Sequence, residues 1–397
     1  MPDSLRPVAR ALTFLALARL AINTAQRFVY PFLPAISRGL GVSLDTTGLL
    51  VSARWGAGLA TPALVAAVGH GERRRRLIAF ALALFSVGAV VTAATGVFVG
   101  ALVGFVLMGF AKPVYDISAQ AYLADRVPYE SRARYLAVLE LTWAGSLLVG
   151  APAAGWLITR AGWQTPFWVI AVLSAVALLL HRRALEPDVA VVTTASRRLT
   201  WDRSAAMFLV VVALFSAASE LMFVVFGAWL EEEFSLSLVA LGGTAVLIAV
   251  VELSAEGSTV AFTDRIGKRR AVAIGLAISA VGFGLVAVFS DSYGLGMAAL
   301  LVGIGGFEFT IVSSIPLATE MRPTGRTKYL SWMVVSIGIS RAVGAAAGSP
   351  LFGWGGIAAN ALVATGANIV AIGIVLAWVR DVQSDGDHTR PGSLLLE

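Results

Sequence analysis

Across 397 residues, 58% of the side chains are hydrophobic, 14% are charged and the mean hydropathy is +0.82. A soluble domain of this length cannot keep so much apolar surface from water, so the composition predicts an all-α integral membrane protein. The absence of cysteine excludes disulfides and thiolate metal sites, and His70, His181 and His388 fall at helix edges or in the tail, which excludes a histidine relay in mid-membrane.

Apolar runs of about 20 residues, the length that crosses roughly 30 Å of hydrocarbon, predict twelve transmembrane helices. Helix 1, 9–33, is too long for the core of a cleavable signal and reads as the first membrane helix. Its Arg19, Asn23 and Arg27 stand at i, i+4 and i+8, one stripe over roughly 12 Å that cannot face lipid. Helix 2, 46–68, places Arg54 at a depth similar to Arg27, and helix 3 covers 77–96. Helix 4, 98–122, carries Lys112 and Asp116 as an i, i+4 pair, and helix 5, 134–158, carries Glu140. Helix 6, 165–182, closes an N-terminal bundle over 1–183, and a polar linker with Pro187 follows over 184–203. Helix 7, 204–230, holds Glu220; helix 8, 236–262, holds Glu252 and Glu256; helix 9 covers 270–289. Helix 10, 294–318, holds Glu308, helix 11, 328–349, holds Arg341, and helix 12, 356–379, completes a second bundle over 204–380 before a tail at 381–397.

Basic residues crowd alternate loops, among them Arg73 to Arg76, Arg126, Arg132, Arg134, Arg182, Arg183, Lys268 to Arg270, Arg322, Arg326 and Lys328. The opposite loops hold Arg38 and Arg160 beside Glu231, Glu232 and Glu233. Because loops retained in the cytoplasm keep Lys and Arg, both termini are expected there, in the cytoplasmic membrane. The same distribution accounts for the formal charge of +6 and the pI near 10.0, so no nucleic-acid partner is expected.

The chain also repeats itself. LADRVPYESRARYL from Leu123 aligns without a gap to LATEMRPTGRTKYL from Leu317, an offset of 194, and Gly150 recurs as Gly344. Two six-helix halves related in parallel around a midplane cavity are the architecture of carriers that work by alternating access.

DRIGKRR from Asp264 to Arg270, together with the halves and their offset, resembles the major facilitator superfamily over about residues 8–380. The resemblance implies a latch at the cytoplasmic ends of the halves, formed by Asp264, Arg265, Gly267 and Arg269. In the first copy of that loop Val68 replaces the acid and leaves Gly71 with Arg73 to Arg76. GSLLVGAPAAGW from Gly145 to Trp156 is similar to the helix 5 pattern of the superfamily's antiporters, with Ala151 where the pattern has glycine. The family's helix 4 arginine is replaced near Phe105.

Ionisable groups in hydrocarbon cost a few kcal/mol each and mark pathways or pairs. The first half is mainly basic inside and the second mainly acidic. Glu220, Glu308, Glu252 and Glu256 are the candidates for proton coupling; each also suits a salt bridge to Arg19, Arg27 or Arg341. Glu252 and Glu256, like-charged at i, i+4, are not expected to ionise together. The fixed donors of Arg19, Arg27, Arg54 and Arg341, with Asn23, Tyr30, Tyr115 and Trp143, suit an amphipathic substrate with an anionic or zwitterionic group. Lys112 and Asp116 suit a buried ion pair.

The function expected is proton-coupled secondary transport, with export favoured, by a monomer exchanging protons and a small molecule across the bilayer. A lipid or glycolipid translocase on the same scaffold, and a non-transporting receptor or scaffold, are the alternatives. No metal-ligand cluster, nucleophile and base pair or nucleotide motif is present, so neither an enzyme nor a cofactor is expected.

Overall fold

The computed structural model describes residues 6–61, 73–128, 131–188, 201–322 and 325–380, and among these there is helix and no strand. Helix 1 is continuous from Arg6–Arg27 and resumes over Val29–Leu40, so it runs seven residues past the expected end. Helices 2, 3 and 4 are Leu44–Gly58, Arg74–Thr95 and Phe98–Ala124. Helix 5 comprises Arg132–Gly145 and Ala151–Ala161 around one wider π turn, Ser146–Gly150. Helix 6 is Thr165–Ala184, helix 7 is Arg203–Phe223 with Phe226–Phe234, and helices 8, 9 and 10 are Leu238–Ile266, Lys268–Val288 and Tyr293–Met321. Helices 11 and 12 together cover Arg326–Trp378 and part at a kink where Gly355 and Gly356 have non-helical backbone angles. Gly356 has φ +62 and ψ −166, a conformation closed to side-chain-bearing residues, so the turn between the two helices depends on glycine.

The helices form two six-helix bundles whose symmetry can be followed at single residues. Helix 2 begins at Ser43, whose side chain accepts the N–H of Thr46, and helix 8 begins 194 residues later at Ser237, which accepts the N–H of Ala240. Gly150 on helix 5 faces Thr24 of helix 1, and Gly344 on helix 11 faces Ala217 and Glu220 of helix 7. Helix 1 breaks at Phe28 and helix 7 at Val224 and Val225, so the same element bends in each half. The longer linker region falls partly at 189–200, outside the described residues, as do Val68 and Gly71.

Arg6 and Arg380, the first and last described residues, mark the terminal side of the bundle, and the opposite side is the far side. The far-side pieces of helices 1 and 7 pack across the junction between halves, helix 2 packs on helix 11, and helix 5 on helix 8. At Gly227 a Cβ would stand 2.4 Å from the carbonyl oxygen of Pro31, so helices 1 and 7 touch backbone to backbone there. Arg38 and Glu231 add an ion pair of 2.7 Å on the same side. Small residues at crossings let membrane helices approach closely enough for dispersion to hold them.

Candidate functional site

Arg27 sits where the first piece of helix 1 ends, on the face turned to the second half. Its guanidinium meets Glu252 of helix 8 through both nitrogens: Nη1 donates to Oε2 at 2.7 Å and Nη2 to Oε1. Both side chains are buried. Nη1 also donates to the carbonyl of Trp143 at 3.1 Å, and the guanidinium lies 4.4 Å over the Trp143 ring. Trp143 stands three residues before the π turn of helix 5, so its carbonyl is near a stretch where the regular bonding of the helix changes.

A second group of contacts gathers around Glu220 of helix 7, which is fully buried. Its Oε1 accepts from the Tyr30 hydroxyl at 2.7 Å and from Trp55 Nε1 at 3.1 Å, and its Oε2 accepts from Arg341 Nη1 at 3.3 Å. Tyr30 and Trp55 belong to the first half and Arg341 to the second, so Glu220 also bridges the halves. Arg54 supports the group from behind, donating to the Tyr30 hydroxyl at 3.1 Å and to the Gln26 carbonyl at 2.7 Å. The Arg341 guanidinium lies 4.9 Å over Trp55 and 5.3 Å over Phe307.

Between these two groups lies a cavity of about 90 Å³, walled by Arg27, Tyr30, Trp143, Glu252 and Arg341, with Phe223, Phe307 and Ile311 as its apolar side. Glu308 of helix 10 borders it, buried to 6% exposure, and makes no hydrogen bond or ion pair with any described residue. A buried carboxyl normally has a partner; this one faces space instead. Glu256, one turn from Glu252, is partly exposed and likewise has no hydrogen bond or ion pair among the described residues.

Toward the terminal side, Arg19 donates from Nε to Asp116 at 2.9 Å and lies 3.0 Å from Glu140. Lys112 Nζ reaches the other oxygen of Asp116 at 2.5 Å. This cluster of two bases and two acids closes within the first half. Asn23 donates to Thr142 at 3.1 Å and Tyr115 to the Leu15 carbonyl at 2.8 Å, so neither is turned into the central cavity in this conformation.

The stripe on helix 1 thus divides: Arg19 serves its own half and Arg27 crosses to the other. The donor Trp55 Nε1, the Thr142 hydroxyl, which accepts from Asn23, and the acid Glu140 complete these networks. Glu140 carried one signal, as an ionisable residue in an apolar run; Trp55 reads from sequence as an aromatic that could add apolar wall to the cavity, and its role as a hydrogen-bond donor is not legible there.

The glycine-centred loop after helix 8 works within the second half here. Gly267, at φ +88, joins helices 8 and 9, and Arg269 donates to the carbonyls of Val375 at 3.2 Å and Leu376 at 2.7 Å, at the end of helix 12. Arg265 is exposed, and the side chain of Asp264 lies outside the described residues.

A family model described as Major Facilitator Superfamily matches residues 15–254, more than half of the chain. The chain belongs to the major facilitator superfamily. It is 27% identical over 169 residues to the inner membrane transport protein YdhP of Escherichia coli (strain K12), a match that covers 42% of this chain and 43% of that protein. It is 32% identical over 162 residues to a chloramphenicol resistance protein of Streptomyces lividans, covering 41% of each. The chain therefore spans less than half the length of these curated relatives in alignment. Among solved structures, a D-xylose-proton symporter superposes with a TM-score of 0.77 over 95% of this chain and 99% of that one, at 14% identity. That likeness is one of fold, a twelve-helix, two-bundle arrangement, and the chain is a multi-pass membrane protein of the superfamily.

Proposed function

We propose that this superfamily member is a proton-coupled exporter of an amphipathic small molecule bearing an anionic or zwitterionic group, working by alternating access in the cytoplasmic membrane with both termini inside. The observation that carries this reading is Glu308, a buried carboxyl without a partner among the described residues, in a cavity bordered by the Arg27–Glu252 ion pair that joins the two halves.

A carboxyl in that position can be met by a proton or by the cationic group of a zwitterion, and not by both. Competition of proton and substrate for one group is the physical condition for exchange, since each state of the carrier then crosses with one of the two. The anionic group of the substrate would take Arg27 or Arg341, whose present partners, Glu252 and Glu220, must then be neutralised by protons, because a buried carboxylate left alone is costly. The Arg27–Glu252 pair spans the junction while Arg341–Glu220 lies within the second half, so an exchange of partners at Arg27 changes what holds the halves together.

At about 90 Å³ the cavity admits waters or a single small group, well below the 300 to 1,000 Å³ typical of ligand sites. Substrate entry therefore requires the halves to part. Contacts at Gly227, Arg38 and Glu231 hold the far side together and support a carrier poised to open toward the terminal side. A relative named for chloramphenicol resistance supports export as the direction.

The reading is tested in proteoliposomes carrying an interior pH indicator, challenged with a panel of amphipathic anions and zwitterions. A substrate-dependent pH change should appear with the unaltered chain and vanish with Glu308→Gln. Retention of full coupling by both Glu308→Gln and Glu220→Gln would sink the assignment.

A further inference from the structure

A cavity of about 1120 Å³ lies far from the junction, at the terminal end of the second half where helices 7, 9 and 12 meet. Arg203, Arg269, Arg270 and Arg380 line it against a single described acid, Asp202, which is ion-paired to Arg322. Arg269 is occupied with the last carbonyls of helix 12, and the Arg203 guanidinium lies 5.2 Å over the Trp378 ring. The guanidinium groups of Arg270 and Arg380 are exposed and have no hydrogen bond or ion pair with a described residue. Arg380 is nonetheless fixed in place, its backbone N–H donating to the Ser204 side chain at 3.0 Å.

Helix geometry adds to the positive potential. Helices 7 and 9 start at this cavity, at Arg203 and Lys268, and present the positive ends of their dipoles. The opposing negative end of helix 12 is covered by Arg269. The floor is apolar, made by Ala273, Ile274 and Leu376. From it Ile274, Ile278 and Val281 continue along helix 9 at spacings of four and three, one face, each more than 40% exposed. Trp378, 40% exposed, has the amphipathic ring that settles at the boundary between headgroups and hydrocarbon.

We infer that this cavity binds the headgroup of an anionic phospholipid from the leaflet on the terminal side. The phosphate sits between Arg270 and Arg380, and an acyl chain follows the Ile274, Ile278 and Val281 face. A basic pocket between membrane helices at the headgroup level is the chemistry that retains such lipids. The apolar floor and track distinguish a lipid from a free anion, which would need only the arginines.

The test is native mass spectrometry of the purified full chain in detergent, titrated separately with a phosphatidylglycerol and with a phosphatidylcholine of the same acyl chains. The unaltered chain should retain the anionic lipid preferentially. Arg270→Gln with Arg380→Gln should weaken that binding roughly 30-fold, about fivefold for each arginine beside an anionic headgroup, and leave phosphatidylcholine unchanged. Arg270→Lys with Arg380→Lys should restore most of the preference. An undiminished preference for the anionic lipid in the glutamine pair would overturn the site. Displacement of the lipid by inorganic phosphate at equal concentration would also overturn it, by making the site one for free anions. The exposure of both side chains keeps the substitutions compatible with folding, and the lysine pair reports on charge even if the glutamine pair proves unstable.

Discussion

Arg27 on helix 1 and Glu252 on helix 8 form a two-pronged ion pair between the halves of the transporter, buried on both sides. Breaking such a pair on one side leaves an uncompensated charge, at a cost of about 3 to 5 kcal/mol. Glu252→Gln and Arg27→Gln should each lower the thermal unfolding midpoint in detergent. The double variant Arg27→Gln with Glu252→Gln should cost clearly less than the two single losses added together, and strict additivity of the cycle would show that the pair is not formed in the stable state.

Glu308 should behave in the opposite way to Glu220. Glu308 has no described partner, so Glu308→Gln removes an unsatisfied acid and should leave the unfolding midpoint unchanged or raised. Glu220 accepts from Tyr30, Trp55 and Arg341, and Glu220→Gln should lower it by an amount consistent with losing charge-assisted bonds, about 1.5 to 3 kcal/mol. The same thermal scan reads both, and equal destabilisation would contradict the geometry.

The contact of Gly227 with Pro31 sets the far-side closure. Gly227→Ala places a methyl against backbone that cannot yield as a side chain would, so the far-side pieces of helices 1 and 7 should separate. The chain has no cysteine, so a single Cys in place of buried Ser37 gives a clean reporter. Labelling of Ser37→Cys by a membrane-impermeant maleimide should be slow in the native background and faster with Gly227→Ala. An unchanged rate would show that the contact does not control that side.

Asp202 precedes helix 7 and lies outside the membrane span. Partial burial acts to raise its carboxyl, but the Arg322 guanidinium and the N–H of Ala205 outweigh this and hold it below the usual carboxylate range. A carboxyl depressed in the folded state adds stability above its unfolded pKa, and that contribution is lost as pH falls through the folded value. Asp202→Asn keeps the cap on helix 7 and removes the charge. With half of the side chain exposed, solvent screening limits the effect to under about 1 kcal/mol. The variant should be slightly less stable than the native chain at pH 7, and the difference should close as the pH falls through the depressed pKa of Asp202, by unfolding midpoints measured from neutral pH into acid.

The fold was legible in the sequence because a membrane imposes its own length and polarity on every crossing segment. The apolar runs, the offset of 194 and the loop around Gly267 together point to the two-bundle fold of the superfamily, and the family match and the solved structures of that fold bear it out. The sequence also marked the charged residues, since each one inside an apolar run needs a reason to be there. What it did not contain was their pairing. Periodicity assigns Arg19 and Arg27 to one face of helix 1, yet Arg19 closes on Asp116 and Glu140 of its own half while Arg27 crosses to Glu252, 225 positions away. That division depends on the depth and rotation of helices from opposite halves, which no local pattern encodes. The same holds for Glu308, whose want of a partner is a property of the space around it. Composition and repeat determine which residues are costly to bury; only the packed bundle decides which of them meet, and which one is left facing the cavity.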